Sequence, residues 1–375
     1  MGLVAVPRAL TTITRVEAIP YSVPYRVPGR FASGAVERAD NVLVRVHSAD
    51  GLVGQAEAQP RPYTYGETQA TIVAAVRHRL GPALEGLDPL ATELIEARCG
   101  GMPGDRVARG AIDLAVWDLV GQLLGQPCAL LLGGYAGEVS VAHMVSFGEP
   151  SAMAEEALAM RSRHGIRTFK VKVGRDVDTD VAAVTAVREA LPEAELYVDA
   201  NRGWAYDAAL RAGEAFADLG VAAIEEPLAL EDRRGRTRLA DRWLVPLVGD
   251  ESCISLAHVA RELDDGAVGM VSVKVARTGF TESRRILGLC LGRSVPAVVG
   301  SQYEGGVGAL ATVAFASAFA ATARRPAEAT NFLDLADDLL AEPPTVVDGR
   351  MAPRPAPGLG IEIDEDRLEH YRIDR

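Results

Sequence analysis

Among the 39 basic residues of this chain only three are lysines, Lys170, Lys172 and Lys274; every other one is arginine. Lys170 and Lys172 lie in FKVKVG (169–174), alternating with Val171 and Val173, so a strand there carries both ammonium groups on the same face. Arginine stays charged at any accessible pH, whereas burial and neighbours shift lysine into a range where it exchanges protons. A chain that otherwise uses arginine thus points to proton transfer at these sites, beyond neutralising acids in a buried ion network.

Three acids follow apolar runs further along: Asp199 in LYVDAN, Glu225 in AAIEEP and Asp250 in PLVGDES. One such acid could simply cap the next helix. Three in register, flanked by the lysines, form a carboxylate set that repels itself unless a cation or proton intervenes. All-oxygen ligands select a hard ion, Mg2+, with Mn2+ as a substitute. Alternation turns Glu226 and Glu251 away from the ligand set, and Asn201 reads as support for it. A cation and the Lys170 ammonium both disfavour protonation of Lys172, preparing it as a general acid or base. The chemistry this suits is forming or quenching a carbanion beside a substrate carboxylate.

The elements that must position these residues are visible as a repeat. Apolar strand candidates end near Val145, Lys172, Asp199, Glu225, Asp250, Lys274, Ser301 and Asn331, in steps of 24 to 30 residues. Each step is one strand and helix, and eight strands make a parallel barrel with its site at the carboxyl ends. Before the repeat, TRVEAIPYSV and the hairpin NVLVRVHSADGLVGQAEA read as strands, and 68–80, 89–98 and 106–124 as helices. The expected organisation is a mixed domain over 1–135, a barrel over 136–343, and a turn-rich tail, 344–375, that returns to the first domain.

Net charge of −12 disfavours nucleic-acid and anionic-membrane partners, though not a small carboxylate substrate. The four cysteines have no CxxC spacing and read as core thiols. The uncharged run 305–323, rich in small residues, reads as a packed helix and not a membrane span. MGLVAVPRALTTITRV lacks the layout of a signal peptide, so a cytoplasmic location is expected.

KVK, DAN, EEP, GDES, VKVARTG and the late PGLGIEID together resemble the enolase superfamily, specifically its muconate lactonizing subgroup. The likeness runs through nearly the whole chain. It implies a (β/α)7β TIM-like barrel of the α/β class under an N-terminal α+β capping domain. It also implies metal ligation by Asp199, Glu225 and Asp250, and catalysis by Lys172 with Lys170 and Lys274. Lysine bases acting with Mg2+ are an established pattern in this superfamily. No histidine lies near the ends of strands six or seven, so the subgroup with a histidine and aspartate dyad fits less well.

RFASGAVERADNVLVRVHSADGLVGQAEAQPRPYTYGETQ and TNFLDLADDLL look most like muconate cycloisomerases. By that likeness the distal carboxylate of cis,cis-muconate adds to the diene and Lys172 protonates the enediolate, with Lys274 facing it. Dipeptide epimerases, N-acyl amino acid racemases and o-succinylbenzoate synthases are the alternatives on this scaffold. A metal-dependent hydrolase would usually bring histidine ligands, which the rim lacks, and a non-catalytic relic would keep the site without turnover. The resemblance places substrate choice in loops 24–35 and 59–67 and in GSQYEGG (300–306), with Phe31, Arg61, Tyr63, Asn201, Gln302 and Glu304 as candidates. Barrels of this kind often associate, so a homo-oligomer is expected.

Overall fold

The computed structural model describes residues 11–32, 34–100 and 104–374; residues 1–10, part of the segment read for targeting, and Ser33 of the capping loop lie outside them. The chain opens with an antiparallel sheet in the order β1 (Ile13–Phe31), β2 (Gly34–Ser48) and β3 (Val53–Ala58). Strand β1 runs eight residues beyond the expected end at Val23. Pro24 and Pro28 obscure this extension in the sequence, but β1 is an edge strand, where missing donors are tolerated. The register shifts between Pro24 and Gly29, and the strand, still paired with β2, then carries Phe31 to the hairpin tip, past the part that β3 joins.

Helices cover one face of this sheet. The first runs Gln69–Ala75, capped by Thr68, and continues through a wider turn to Leu84. Others follow at Thr92–Gly100 and Arg106–Leu124. The last lies between β3 and the barrel helix Val275–Gly292. Gly110 permits that approach, because a Cβ there would stand 2.9 Å from the Arg277 carbonyl carbon.

The barrel has eight parallel strands: β4 (Val139–Val145), β5 (Thr168–Lys172), β6 (Glu195–Asp199), β7 (Ile224–Glu225), β8 (Leu247–Gly249), β9 (Met270–Val273), β10 (Ala297–Val299) and β11 (Ala327–Glu328). Their order, β10-β9-β8-β7-β6-β5-β4-β11, is that of a nearly closed barrel. A helix follows each strand from β4 to β10, which makes the (β/α)7β arrangement. Strand β11 ends at Glu328, and the Asn331 expected at its end belongs to the following 3-10 turn.

The helix Gly306–Ala318 is buried along its whole length, so its uncharged sequence faces protein on every side. No helix among the described residues is long and apolar enough to cross a membrane. All four cysteines are buried and free. The tail first pairs β12 (Arg350–Met351) with the start of β4, then docks on the capping sheet, where Leu368 packs beside Ile19, Tyr21 and Leu43. It therefore ties barrel and cap together.

Candidate active site

Period-two alternation builds the site. On β5, Phe169 and Val171 face the surrounding helices while Lys170 and Lys172 face the barrel axis. Parallel pairing sets Lys172 beside Asp199 and Asp199 beside Glu225 across β5, β6 and β7. Asp250 and Lys274 stand just past the ends of β8 and β9. All six side chains are buried, and they meet at the carboxyl rim.

The two neighbouring ammonium groups are each held by acidic partners. Lys172 Nζ donates to Asp199 Oδ2 at 2.6 Å and to Asn201 Oδ1 at 2.8 Å. Lys170 Nζ lies 2.9 Å from Glu225, 2.9 Å from Glu328 and 3.3 Å from Asp199. Its charge is thus compensated by three acids. Asp250 is held on both oxygens at 2.5 Å, by Lys274 on Oδ2 and by the buried Arg277 on Oδ1.

Burial raises the Asp199 carboxyl, but the ammonium groups of Lys172 and Lys170 outweigh it and bring the pKa down to about 2. Asp250 is likewise driven well below the usual carboxylate range: burial opposes, and Lys274 and Arg277 prevail. Glu225 moves up, through burial and then through Asp199 and Glu328, against the pull of Lys170. Burial, with Asp250, Glu226 and Asp199, pushes Glu251 to about 8. Lys170 and Lys274 are raised: burial alone would lower them, and their carboxylate partners win.

Five buried carboxylates, Asp199, Glu225, Asp250, Glu251 and Glu328, therefore face four buried cations. As the side chains stand, no group of three acids, histidines or cysteines among the described residues is close enough to hold a metal ion. Ammonium groups lie between the acids expected to be ligands, drawn there by Coulomb attraction. The donor set nonetheless fits a hard divalent ion. It is all oxygen, it sits on three adjacent strand ends, and Glu225 and Glu251, raised by burial and then by the neighbouring acids, would be relieved of that acid repulsion by added positive charge.

Above this row lies an open cleft of ≈ 580 Å³ that all three lysines line. Phe31, Arg61, Asn201 and Gln302 line it too, as the sequence suggested. Tyr63 does not: it is 64% exposed on the outer face of its loop, and Thr64 and Tyr65 take the inward positions. Glu304 also turns away, accepting from Gln302 N at 2.7 Å and from Ser301 Oγ, so it braces its own loop. Glu251, set aside by alternation, borders the cleft and accepts from Asn201 Nδ2 at 3.3 Å. Glu226 keeps the expected structural role, accepting from the backbone of Asp250 and Ser252 at 2.7 Å.

Glu328 and Arg277 were not anticipated. Glu328 sits on a two-residue strand with no periodic signal. Arg277, three residues after Lys274 in VKVARTG, lies in the first helical turn after β9. It also donates to Tyr65 Oη at 3.1 Å, linking the capping loop to Asp250.

Two family descriptions match the chain: "Mandelate racemase / muconate lactonizing enzyme, N-terminal domain" over residues 13–133 and "Enolase C-terminal domain-like" over 152–367. Muconate cycloisomerase 1-2 of Acinetobacter lwoffii is 32% identical over 369 residues, 96% of each chain. The hydrophobic dipeptide epimerase of Enterococcus faecalis is 30% identical over 276 residues, 73% of this chain and 77% of that one. A crystal structure of the muconate lactonizing enzyme from Mycobacterium smegmatis, complexed with muconolactone, superposes with a TM-score of 0.96 at 46% identity, covering 97% of this chain and 100% of that one. The Enterococcus faecalis dipeptide epimerase complexed with Mg and the dipeptide L-Leu-L-Tyr superposes at 0.89 and 27% identity, covering 94% of this chain and 99% of that one.

Proposed function

This chain is an enzyme of the mandelate racemase / muconate lactonizing enzyme family, within the enolase superfamily, and from that premise we propose that it is a Mg2+-dependent muconate cycloisomerase converting cis,cis-muconate to muconolactone. The observation that carries the reading is the pairing of two lysines in one cleft with an arginine among its lining residues. The lysines serve the proton chemistry, and the arginine suits a second carboxylate.

Asp199, Glu225 and Asp250 are the residues that would hold the cation, and bound there it supplies positive charge to a substrate carboxylate becoming an enediolate. The distal carboxylate of muconate forms the ring C–O bond. The electrons of the attacked double bond move toward the other carboxylate. Lys172 then delivers a proton to the α carbon and recovers one from solvent. An ammonium carries three N–H donors, and Asp199 and Asn201 use two, leaving one for this transfer. Lys274, fixed by Asp250, stabilises the same charge from the strand beyond the acids. The Phe31 ring, centred 5.6 Å from Lys172 Nζ, packs over that ammonium at the wall of the cleft. Arg61, half-buried, offers forked donors to the distal carboxylate.

A second reading rests on the same two lysines: with an acid and a base in one cleft, the α proton of a dipeptide or N-acyl amino acid could be removed on one side and returned on the other. The purified protein decides between them. Loss of diene absorbance with cis,cis-muconate, together with no exchange of dipeptide α protons in D2O, supports the cycloisomerase; exchange without diene loss replaces it with the epimerase.

A further inference from the structure

The loop after β10, residues 300–305, brings Gln302 and Tyr303 to the cleft, yet the bonds that hold its far end come from the capping domain. Glu57 on β3 is 1% exposed. Its Oε1 accepts from Tyr21 Oη at 2.7 Å, from Asn41 Nδ2, and from the peptide N–H of Gly305 at 3.2 Å. Its Oε2 accepts from Gly308 N at 2.8 Å. Gly305 and Gly308 bracket the start of the helix Gly306–Ala318, whose first N–H groups have no partner within the helix. Glu57 takes those of Gly305 and Gly308, Asp338 takes that of Gly306 at 2.8 Å, and the Glu57 carboxylate complements the positive end of the helix dipole. Two residues on, the Gln59 carbonyl accepts from Gln302 Nε2 at 3.3 Å. Gln302 Oε1, buried at the cleft, has no hydrogen-bond partner.

We propose that Glu57 is a positioning residue: from the capping domain it fixes the start of the helix after β10, and thereby the place of Gln302 and Tyr303 in the substrate cleft. Within the loop, Tyr303 holds a left-handed backbone at φ +69°, costly for a tyrosine and stable only where its surroundings impose it. Its ring packs on Tyr25, 4.8 Å away, and Tyr25 Oη donates to the Tyr303 carbonyl at 3.3 Å. Barrel residues hold the start of the loop, through Val273, Glu328 and Asn331, and cap residues hold its middle and far end, which makes Glu57 a determinant of substrate fit and leaves the lysine and acid row untouched. The space is tight: a Cβ on Gly305 would lie 3.0 Å from Glu57 Oε1.

The kinetic part of this inference rests on the cycloisomerase reading, so the test has an arm that does not. Glu57→Gln keeps the shape and removes the charge. The expected result is a rise of about tenfold in KM for cis,cis-muconate with kcat altered less than about threefold, together with faster amide hydrogen exchange across 301–308. Asp118→Asn is the matched control. Asp118 is equally buried and bonds Gln55 N and Leu359 N at 2.8 and 2.6 Å, joining cap to tail without touching the loop. It should lower the melting temperature while leaving KM and exchange at 301–308 as in the wild type. Equal KM shifts in the two variants, or unchanged exchange at 301–308 in Glu57→Gln, overturn the proposal. If Glu57→Gln does not fold, Tyr21→Phe removes one donor from the same carboxylate, and the same exchange measurement decides. If the wild type leaves muconate untouched, the cycloisomerase reading fails alone and the exchange arm still stands or falls by itself.

Discussion

Replacing Lys172 separates proton transfer from ion pairing, because two substitutions remove different things. Lys172→Ala removes both the proton and the charge 2.6 Å from Asp199. Breaking a buried pair commonly costs about 3 to 5 kcal/mol, but Lys170 remains 3.3 Å from Asp199, so the loss of stability should stay below about 3 kcal/mol. Lys172→Arg keeps a positive charge beside Asp199 yet cannot give up a proton. A positioned general acid contributes about 10²- to 10⁴-fold, or about 3 to 5 kcal/mol of barrier. Both variants should therefore lose about 10²- to 10⁴-fold in kcat, while only Lys172→Ala melts appreciably lower. Diene absorbance gives the rate, a thermal melt the fold, and calorimetry with Mg2+ the integrity of the acid row. If Lys172→Arg retains more than about a tenth of wild-type kcat, Lys172 serves as a counter-ion and the proton-transfer reasoning is wrong.

Arg61→Ala should raise KM for muconate about ten- to a hundredfold with a smaller change in kcat, since a charge-assisted bond to the distal carboxylate is lost, whereas Tyr63→Ala, on the solvent side of the same loop, should match the wild type in steady-state kinetics. Two carboxyls set opposite pH trends in stability. Glu251, raised to about 8, binds a proton more tightly folded than unfolded, so without metal it costs stability as pH climbs from about 4.5 through 8. Asp199, lowered to about 2, contributes stability above pH ~4 that is lost as pH falls toward 2. Cation binding requires deprotonated ligands, so Mg2+ should raise the melting temperature more at pH 8 than at pH 6; equal shifts at the two values would count against an acid-row site.

What the sequence revealed of the site follows the reach of period two. Lys170, Lys172, Asp199 and Glu225 lie on strands, and for them alternation gives both the strand end and the facing side chain. Past the strand the rule stops. Asp250 has φ −123° and ψ −79° and leads into a 3-10 turn over 251–253, so Glu251 swings back toward the cleft that alternation would have it leave. The four-residue turn Pro62–Tyr65 is too short to display a period, so Tyr65, not the Tyr63 expected from the sequence, faces the cleft. Glu304 follows Tyr303, whose left-handed backbone reverses the chain and turns the carboxylate onto its own loop. The fold obeys the same limit: eight barrel strands were legible by their spacing, while the extension of β1 past Val23 hid behind Pro24 and Pro28, and Glu328 behind a strand of two residues.

The contrast between Lys274 and Arg277 explains why the lysines survive in a chain otherwise committed to arginine. Both bind Asp250, one on each oxygen, at the same 2.5 Å. If neutralising that acid were the only requirement, arginine would serve at both places and pair more rigidly. Arginine occupies the position outside the substrate cleft, where its fork also bonds Tyr65 and the carbonyls of Cys253 and Ser272. Lysine occupies the position that borders the cleft, as it does at 170 and 172. A rigid guanidinium braces the acid from behind, and a compact ammonium borders the cleft. That division is the one expected if the ammonium groups act on substrate and the guanidinium acts on the protein.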